Sequence, residues 1–399
     1  MNKNWEMKRL GEISKINYGY TEKASFKEIG PRFLRITDIQ ENNVDWETVP
    51  FCKIEKNQLS KYLLNEGDIV FARTGATTGK SFLVKKPPLA VFASYLIRLQ
   101  ILDLNKLAPE FLFLFFQTKT YWDKIETGLS GSAQGGFNAT KLAEISIPLP
   151  PISEQQHIVS ILDETFAAIE KAKENAEKNL QNSRELFESY LQSVFANHGD
   201  GWEEKKLGYT SKINYGYTEK ASFEEIGPRF LRITDIQENN VDWETVPFCK
   251  IEKNKLSKYI LNEGDIVFAR TGATTGKSFL VKKPPLAVFA SYLIRLQILD
   301  LNKLAPEFLF LFFQTKTYWD KIETGLSGSA QGGFNATKLA EISIPLPPIS
   351  KQTSIVAKLD ALSAETKKLE EIYQQKLAAL DELKKSVLQK AFNGELAGA

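Results

Sequence analysis

The sequence predicts an α+β protein in which two β-rich mixed globular domains are separated by two long helices. The helices are expected to form an antiparallel coiled coil with pseudo-twofold symmetry. Three observations predict this fold: one unit is written twice, each copy opens with β-rich sequence, and each copy ends in a long segment without Gly or Pro. We expect domains at residues 1–153 and 199–350, each followed by a long helix within residues 154–198 and 351–399.

The two copies are almost identical. Trp5 to Ser153 aligns with Trp202 to Ser350 without a gap, and the copies differ at seven positions. From Leu64 onward, and from Leu261 in the second copy, no difference remains up to the end of the alignment. The differing pairs are Met7/Glu204, Arg9/Lys206, Glu12/Tyr209, Ile13/Thr210, Lys27/Glu224, Gln58/Lys255 and Leu63/Ile260. We call the β-rich domain of each copy a head. Whatever one head recognises, the other is therefore expected to recognise too.

Composition excludes several classes of protein. The 399 residues are 43% hydrophobic and 25% charged, which suits globular cores, and the net charge is only +2. No apolar run approaches the roughly 20 residues of a membrane span, and the first residues lack the apolar core of a signal peptide. Cys52 and Cys249 form neither a disulfide framework nor a metal site. We expect a cytoplasmic protein without a metal or other cofactor.

The first part of each copy contains five strand-like segments and one helix. Val, Ile, Phe and Tyr are concentrated in the segments KINYGY, PRFLRITDI, GDIVFAR, KSFLVKK and AVFASYLIRLQIL. A helix is expected from Pro109 to about Trp122, since proline suits a first helical turn. The segment GSAQGGFNATKLAEISIPLPP reads as a Gly-rich loop, a short helical turn and a strand that ends at prolines.

The stretch RTGATTGKS, residues 73–81, resembles a phosphate-binding loop. That loop needs its first glycine five places before Gly79, where this chain has Thr74, and it must open a helix. The sequence that follows, SFLVKKPPLAVF, reads as strand, turn and strand. We therefore interpret the stretch as a hairpin tip in which Gly75 and Gly79 supply unusual backbone angles. An ATP-binding enzyme that uses residues 73–81 is the less favoured alternative.

The two long segments carry heptad-like apolar repeats. In the second, the seam is expected at Ile355, Leu359, Leu362, Leu369, Tyr373, Leu380, Leu383 and Val387, with Thr366 and Lys376 in the gaps. In the first, it is expected at Ile158, Leu162, Ile169, Ala172, Ala176, Leu186 and Tyr190. Residues 154–196 carry an excess of acidic side chains and residues 351–393 an excess of basic ones, which favours pairing of the two helices. The chain order, domain then helix twice, makes that pairing antiparallel.

Each head carries side chains of the types that contact DNA. Arg reads guanine edges, Gln reads adenine, and Ser, Thr, Tyr and Lys contact bases or phosphates. The candidates in the first copy are Tyr18, Tyr20, Lys23, Arg73, Thr77, Thr78, Lys80, Ser130, Ser132 and Gln134. Their counterparts in the second copy are Tyr215, Tyr217, Lys220, Arg270, Thr274, Thr275, Lys277, Ser327, Ser329 and Gln331. Two identical heads on a stiff spacer suit a twofold-related ligand such as a split DNA palindrome.

Two segments and the helix after them carry a specific resemblance. GDIVFARTGATTGK and SGSAQGGFNATKLAEISIPLPPISEQQHIV, each followed by a long helix and present twice, resemble the specificity subunit of type I restriction–modification systems. The second copy departs slightly, with PLPPISKQTSIV. The resemblance covers essentially the whole chain. It implies two target-recognition domains that each read half of a split double-stranded DNA target, and two central helices that set the gap and bind two methyltransferase subunits. Restriction motor subunits would join through the methyltransferases.

The sequence lacks the motifs of the chemistry itself. No [DNS]-P-P-[YFW] tetrapeptide or Gly-rich adenosylmethionine loop is present, so the chain is expected to be non-catalytic. A coiled-coil adaptor whose heads grip protein rather than DNA remains the main alternative function.

Overall fold

The structure, a computed structural model, describes residues 5–40, 43–130, 137–197, 201–237, 239–327 and 333–396. The chain divides into two compact units. The first contains Met1–Glu177 and Gln375–Ala399, and the second contains Lys178–Gln374. Each unit therefore holds one β-rich copy together with a part of each long helix.

The first unit has ten strands and six helices among the residues described, the sixth helix running on into the second unit. The strands are β1 (Glu6–Arg9), β2 (Ser14–Tyr18), β3 (Arg32–Leu34), β4 (Ile39–Gln40), β5 (Asn43–Val44), β6 (Ile69–Ala72), β7 (Ser81–Leu83), β8 (Ala90–Phe92), β9 (Leu96–Ile101) and β10 (Ser146–Leu149). The helices are α1 (Leu10–Ile13), α2 (Lys56–Tyr62), α3 (Pro109–Phe115), α4 (Lys119–Ser130), α5 (Ala139–Glu144) and α6 (Ile152–Ala196).

The second unit repeats this order. Its strands are β11 (Glu203–Lys206), β12 (Ser211–Tyr215), β13 (Arg229–Leu231), β14 (Ile236–Gln237), β15 (Asn240–Val241), β16 (Ile266–Ala269), β17 (Ser278–Leu280), β18 (Ala287–Phe289), β19 (Leu293–Ile298) and β20 (Ser343–Leu346). Its helices are α7 (Leu207–Thr210), α8 (Lys253–Tyr259), α9 (Pro306–Phe312), α10 (Lys316–Ser327), α11 (Ala336–Ala340) and α12 (Ile349–Phe392), which ends in the first unit. The predicted α+β class is confirmed.

An antiparallel four-stranded sheet of order β2-β9-β6-β7 lies at the centre of the first unit. Both of its faces are covered, which explains why all four residues of β6 are buried. Ile69 and Phe71 pack into one cluster together with helix residues, whereas Val70 and Ala72 pack into a second cluster on the other face. The second unit has the equivalent sheet, β12-β19-β16-β17.

The predicted single helix after Pro109 is wrong, because the structure has two. Between α3 and α4, the buried Thr118 hydroxyl donates to the Phe115 carbonyl at 2.7 Å and accepts from the Tyr121 amide at 3.2 Å. One side chain thus ends the first helix and caps the second. KINYGY, GDIVFAR and KSFLVKK each contain one strand as predicted, and the short helix before β10 is present. PRFLRITDI instead contains β3, a short helical turn at Ile36–Asp38 and the start of β4, and AVFASYLIRLQIL contains two strands.

The hairpin interpretation of RTGATTGKS is confirmed. β6 and β7 pair antiparallel on either side of the stretch, so a strand follows the glycines and not a helix. Gly75 and Gly79 have φ angles of +78° and +95°. The fully buried Tyr121 donates from its hydroxyl to the Gly79 carbonyl at 2.7 Å and so holds the tip from beneath. This geometry removes the ATP-binding alternative, since a phosphate loop opens a helix.

A fully buried glutamine joins each long helix to its globular part. Gln155 accepts a hydrogen bond from the Ala108 amide at 2.9 Å and donates to the carbonyls of Lys106 at 2.8 Å and Pro150 at 2.7 Å. Gln352 makes the same three bonds in the second unit, to Ala305, Lys303 and Pro347. Both residues lie in the first turn of their helix, just after the PLPP sequence.

Within each unit, the two long helices pack antiparallel. In the first unit, Glu170 pairs with Lys384 at 2.7 Å and Lys173 with Asp381 at 2.6 Å. The residue numbers therefore increase along α6 as they decrease along α12. In the second, Arg184 pairs with Glu370 at 3.2 Å, and Leu191 and Phe195 share a core with Ile355 and Leu359.

The expected seam is correct near the helix starts, and Tyr373, Leu380 and Val387 are also half-buried as predicted, but several other later positions shift by one. Ile158, Leu162, Ile169, Ala176 and Thr366 are buried as predicted. The predicted seam residues that are exposed are Leu186, Tyr190, Leu369, Lys376 and Leu383. Their neighbours Phe187, Leu191, Leu377 and Lys384 are buried or half-buried in their place. A strict heptad drifts against the 3.6-residue turn of a straight helix, which accounts for the shift.

The end of a long helix completes each core. Phe392 of α12 lies 4.8 Å from Phe111 and 5.7 Å from Phe115, measured between ring centroids. In the second unit, Phe195 of α6 lies 5.1 Å from Phe308 and 5.7 Å from Phe312. Aromatic pairs at these separations add to the energy of burial. Each core therefore needs chain segments that are far apart in sequence.

We expect Gln155→Ala to destabilise the first unit by about 3 kcal/mol, because three buried backbone groups lose their partner. Amide hydrogen exchange of peptides from the first half of α6 would show faster exchange. These peptides differ in sequence from those of α12, so the two units can be separated. Gln156→Ala is the matched control, since Gln156 is the exposed neighbour. Equal exchange in the two variants would contradict the anchoring role.

The tip glycines offer a second test. Gly79→Ala and Gly276→Ala, made together, place a Cβ 2.8 Å and 2.7 Å from a tryptophan ring carbon at a positive φ. Gly75→Ala with Gly272→Ala also places a side chain at a positive φ, +78° at both sites, but meets open space. We expect the control pair to cost about 1 kcal/mol per site and the test pair to cost about 3 kcal/mol per site, measured by urea unfolding. Equal losses would show that packing beneath the tip is unimportant.

Candidate functional site

The strongest candidate site in each unit lies where β2 ends, beside the hairpin tip. The Arg73 guanidinium carbon lies 4.9 Å from the centroid of the Tyr18 ring, within cation–π range. In the second unit, Arg270 lies 4.9 Å from the Tyr215 ring. Two of the residue types predicted to contact a ligand are thus brought together in both copies.

Three chain segments hold this arginine–tyrosine pair. The Tyr18 hydroxyl accepts a hydrogen bond from the Ala139 amide of α5 at 3.1 Å, and the Arg73 carbonyl accepts one from the Phe137 amide at 2.9 Å. Arg73 Nη1 also donates to the Ser94 carbonyl at 3.5 Å, a long contact. The guanidinium has five N–H donors. Among the residues that the structure describes, the remaining N–H groups of the Arg73 guanidinium have no protein partner. These N–H groups are therefore available to a ligand.

The pair is reachable from solvent. Tyr18 is 42% exposed and Tyr215 is 41% exposed, although both stand at the end of a sheet strand. The lysines at the tip, Lys80 and Lys277, are exposed, as are Lys23 and Lys220 in the loop after β2 and β12. The site therefore combines an arginine, the aromatic ring it rests against and an exposed lysine on the same hairpin tip.

Other predicted residues serve the fold. Thr78 is buried and its hydroxyl donates to the Gly75 carbonyl at 2.7 Å, and Thr275 does the same to Gly272. Tyr20 is half-buried, with its ring 5.1 Å from that of Tyr62; Tyr217 stands likewise against Tyr259. Thr77 and Thr274 are half-buried, and their carbonyls accept from Lys80 and Lys277.

The remaining predicted residues belong to the Gly-rich loop. Ser130 and Ser327 are the last residues of α4 and α10, and their side chains lie outside the described part of the structure. Ser132, Gln134, Ser329 and Gln331 lie outside the described residues altogether. Their roles stay predictions.

Sequence reasoning missed one exposed aromatic residue at this edge. Tyr95 is 64% exposed, and its carbonyl accepts a hydrogen bond from the Arg73 amide at 3.2 Å. Tyr292 is 63% exposed and bonds Arg270 in the same way. The segment AVFASYLIRLQIL was read as one strand, but the dipeptide Ser94–Tyr95 breaks it into β8 and β9. That polar interruption was the available signal.

Each unit contains one free, buried cysteine. Burial raises the pKa of the Cys52 and Cys249 thiols to about 11, so neither is a thiolate nucleophile at neutral pH. Within the described ranges, no group of three or more His, Cys, Asp or Glu side chains is arranged to hold a metal ion. The search of the same residues finds no helix that is long and apolar enough to cross a membrane.

Comparison with known proteins gives consistent matches. The family model described as the type I restriction modification DNA specificity domain matches residues 2–178 and 199–378. The MjaVIII specificity subunit of Methanocaldococcus jannaschii is 24% identical, with 98% of this chain and 93% of that protein covered. The EcoKI specificity subunit of Escherichia coli K12 is also 24% identical, over 98% of this chain and 89% of that protein.

Solved structures match over nearly the full length. A chain from a study of complex assembly and conformational transition of the type I system gives a TM-score of 0.75 at 20% identity, covering 98% of both chains. The HsdS subunit from Thermoanaerobacter tengcongensis gives 0.70 at 20% identity, covering 99% of this chain and 98% of that one. At this identity the likeness establishes the fold.

The family model matches both copies of the repeat, and together the two matches include most of the chain. The resemblance that the sequence motifs suggested is thereby confirmed. The curated relatives are specificity subunits of type I restriction enzymes. With its twofold repeat and its paired long helices, this chain belongs to the type I restriction modification DNA specificity family.

Proposed function

We propose that this chain reads a bipartite, palindromic double-stranded DNA target with a fixed gap. The observation that carries the proposal is the repetition of one binding geometry. The Tyr18–Arg73 pair and the Tyr215–Arg270 pair have the same ring distance, 4.9 Å, and each tyrosine hydroxyl bonds the first residue of the following short helix at 3.1 and 3.0 Å. Readers with the same side chains in the same geometry recognise the same half-site.

The site's chemistry supports DNA as the ligand. An arginine fork matches the O6 and N7 atoms of guanine, and exposed lysines contact phosphates. A guanidinium that already rests against an aromatic ring loses less side-chain entropy on binding. We assign base reading to Arg73 and Arg270 and phosphate contact to Lys80, Lys277, Lys23 and Lys220. The Gly-rich loop residues Ser130, Ser132 and Gln134, with Ser327, Ser329 and Gln331, are proposed to contribute further contacts.

The two half-sites are proposed to be inverted. Support comes from the antiparallel packing of α6 and α12 inside each unit, which matches chain order domain, helix, domain, helix. In this proposal, residues 1–153 and 199–350 are the two target-recognition domains. Residues 154–198 and 351–399 are the spacers that fix the gap.

The long helices also offer a surface for partners. Exposed Lys and Glu side chains run along both helices away from the seam. We propose that two methyltransferase subunits dock there, that restriction motor subunits join through them, and that the complex works in the cytoplasm. A protein-gripping adaptor would bind no duplex, whereas a DNA reader binds with an affinity that falls steeply with salt.

Removing one of the two arginines at a time tests the assignment of base reading. The full chain would select binding sites from a randomised duplex library at low salt. We expect Arg73→Ala to cost about 1–3 kcal/mol and to erase the preference at one base pair of a single half-site, so that the selected palindrome becomes asymmetric. Arg270→Ala is the matched variant and should produce the same asymmetry. The double variant should lose that base pair in both halves.

Two further variants keep this test decisive. Lys80→Ala should weaken all sequences alike and should leave the selected pattern unchanged. Arg73→Lys keeps the charge and loses only the fork, so it separates base reading from support of the fold. Selection of two unrelated half-sites by the unaltered chain would overturn the symmetry argument, and absence of duplex binding at low salt would favour the adaptor.

The second prediction concerns the gap. Four residues inserted after Glu177 in α6 and four after Gln374 in α12 lengthen each helix by about 6 Å, at roughly 1.5 Å per residue. DNA rises about 3.4 Å per base pair, so the selected gap should grow by one or two base pairs while the half-sites stay the same. Insertion into α6 alone is the control, and it should disturb helix pairing. If the selected gap did not change with helix length, the proposal that the helices set the gap would be contradicted.

A further inference from the structure

Tyr95 and Tyr292 stand beside the reading arginines but belong to no motif that the sequence made evident. Each is the residue just before the long central strand, β9 or β19. They are 64% and 63% exposed, which leaves most of a large ring in water. Within the described residues, neither hydroxyl has a hydrogen-bond partner. Neither ring therefore contributes much to the packing of its unit.

The strand register places Tyr95 opposite Arg73. β6 and β9 are antiparallel, with Ala72 opposite Leu96, so the next pair outward is Arg73 and Tyr95. The hydrogen bond from the Arg73 amide to the Tyr95 carbonyl, 3.2 Å, continues the ladder by that one pair. Opposite residues in an antiparallel pair project from the same face of the sheet.

That face is the one that carries the arginine–tyrosine pair. Phe71 and Ile97 lie opposite each other two pairs farther along, beyond Ala72 and Leu96, and belong to the same buried cluster. Tyr18 in turn lies opposite Ile97 on the other side of β9. Tyr18, Arg73 and Tyr95 thus lie at one end of the same sheet face. Tyr95 stands at the start of β9, the strand between β2, which ends in Tyr18, and β6, which Arg73 follows.

On the basis of the proposed function, we infer that Tyr95 and Tyr292 are specificity-determining residues. Each would contact the base pair next to the one that Arg73 or Arg270 reads. Opposite side chains in a sheet lie about 5 Å apart and stacked base pairs about 3.4 Å apart, so neighbouring side chains reach neighbouring base pairs. The ring edge offers an apolar contact to a thymine methyl group, and the hydroxyl pairs with a base edge in the same groove.

The test uses the full chain and a randomised duplex library at low salt. Tyr95→Ala should reduce the preference for the best base about tenfold at one position in a single half-site, next to the position affected by Arg73→Ala. Tyr292→Ala should do the same in the other half-site. Tyr95→Phe keeps the ring and should retain part of the preference, which separates the apolar contact from that of the hydroxyl.

Leu102→Ala is the matched control. Leu102 is also 64% exposed and follows the same strand at its opposite end, roughly 20 Å from Tyr95. It should leave the selected pattern unchanged. Thermal unfolding of Tyr95→Ala should match that of the unaltered chain, because the ring is mostly in water.

The outcomes distinguish this inference from the function on which it rests. If the unaltered chain selects a bipartite site and Tyr95→Ala selects it equally well, the inference alone is overturned. Uniform weakening across all sequences would assign Tyr95 to phosphate contact and would also overturn it. If the unaltered chain selects no bipartite site, both fail together.

Discussion

A buried glutamine at the start of each long helix is the contact on which the arrangement of each unit depends. Gln155 and Gln352 satisfy one amide and two carbonyls that the chain would otherwise bury without partners. The bonded groups belong to the segment before α3 or α9 and to the prolines that end the last strand. The helix is thereby fixed to the globular part at its first turn. The long helices can set a fixed gap only if they do not rotate relative to the globular parts. The hydrogen bonds of the two glutamines therefore support the proposed fixed gap.

The second constraint is that both long helices contribute to each core. The first unit is built from two separate stretches of chain, whereas the second is one continuous stretch. Leu388, Ala391 and Phe392 of α12 belong to the core of the first unit, as Leu191 and Phe195 of α6 belong to that of the second. Phe392 and Phe195 hold equivalent places in the two units against equivalent phenylalanine pairs. The packing of each globular part and the pairing of the two helices therefore depend on each other.

The candidate site shows how the central sheet presents polar side chains at the end of β6. The residues of β6 are buried on both faces, and the tip beyond them is held by Tyr121 from below and by the segment at residues 137–139 from the side. Arg73 is half-buried and stands against Tyr18. Pre-organisation of this kind favours discrimination between bases, because a fixed fork cannot adjust to the wrong donor pattern.

By itself, the sequence determined the repeat, the α+β class, the two long helices, the hairpin at residues 73–81 and the family. These follow from local patterns, namely glycine positions, alternation of apolar residues and the absence of helix breakers. Tertiary structure alone decided which residues pack and which face solvent. The seam shifted from Leu186 to Phe187 and from Leu383 to Lys384, because a periodicity read from one helix cannot include the drift imposed by its partner. Thr78 turned inward because its hydroxyl bonds the Gly75 carbonyl within the tip, and Tyr95 is exposed because it lies beyond the end of β9.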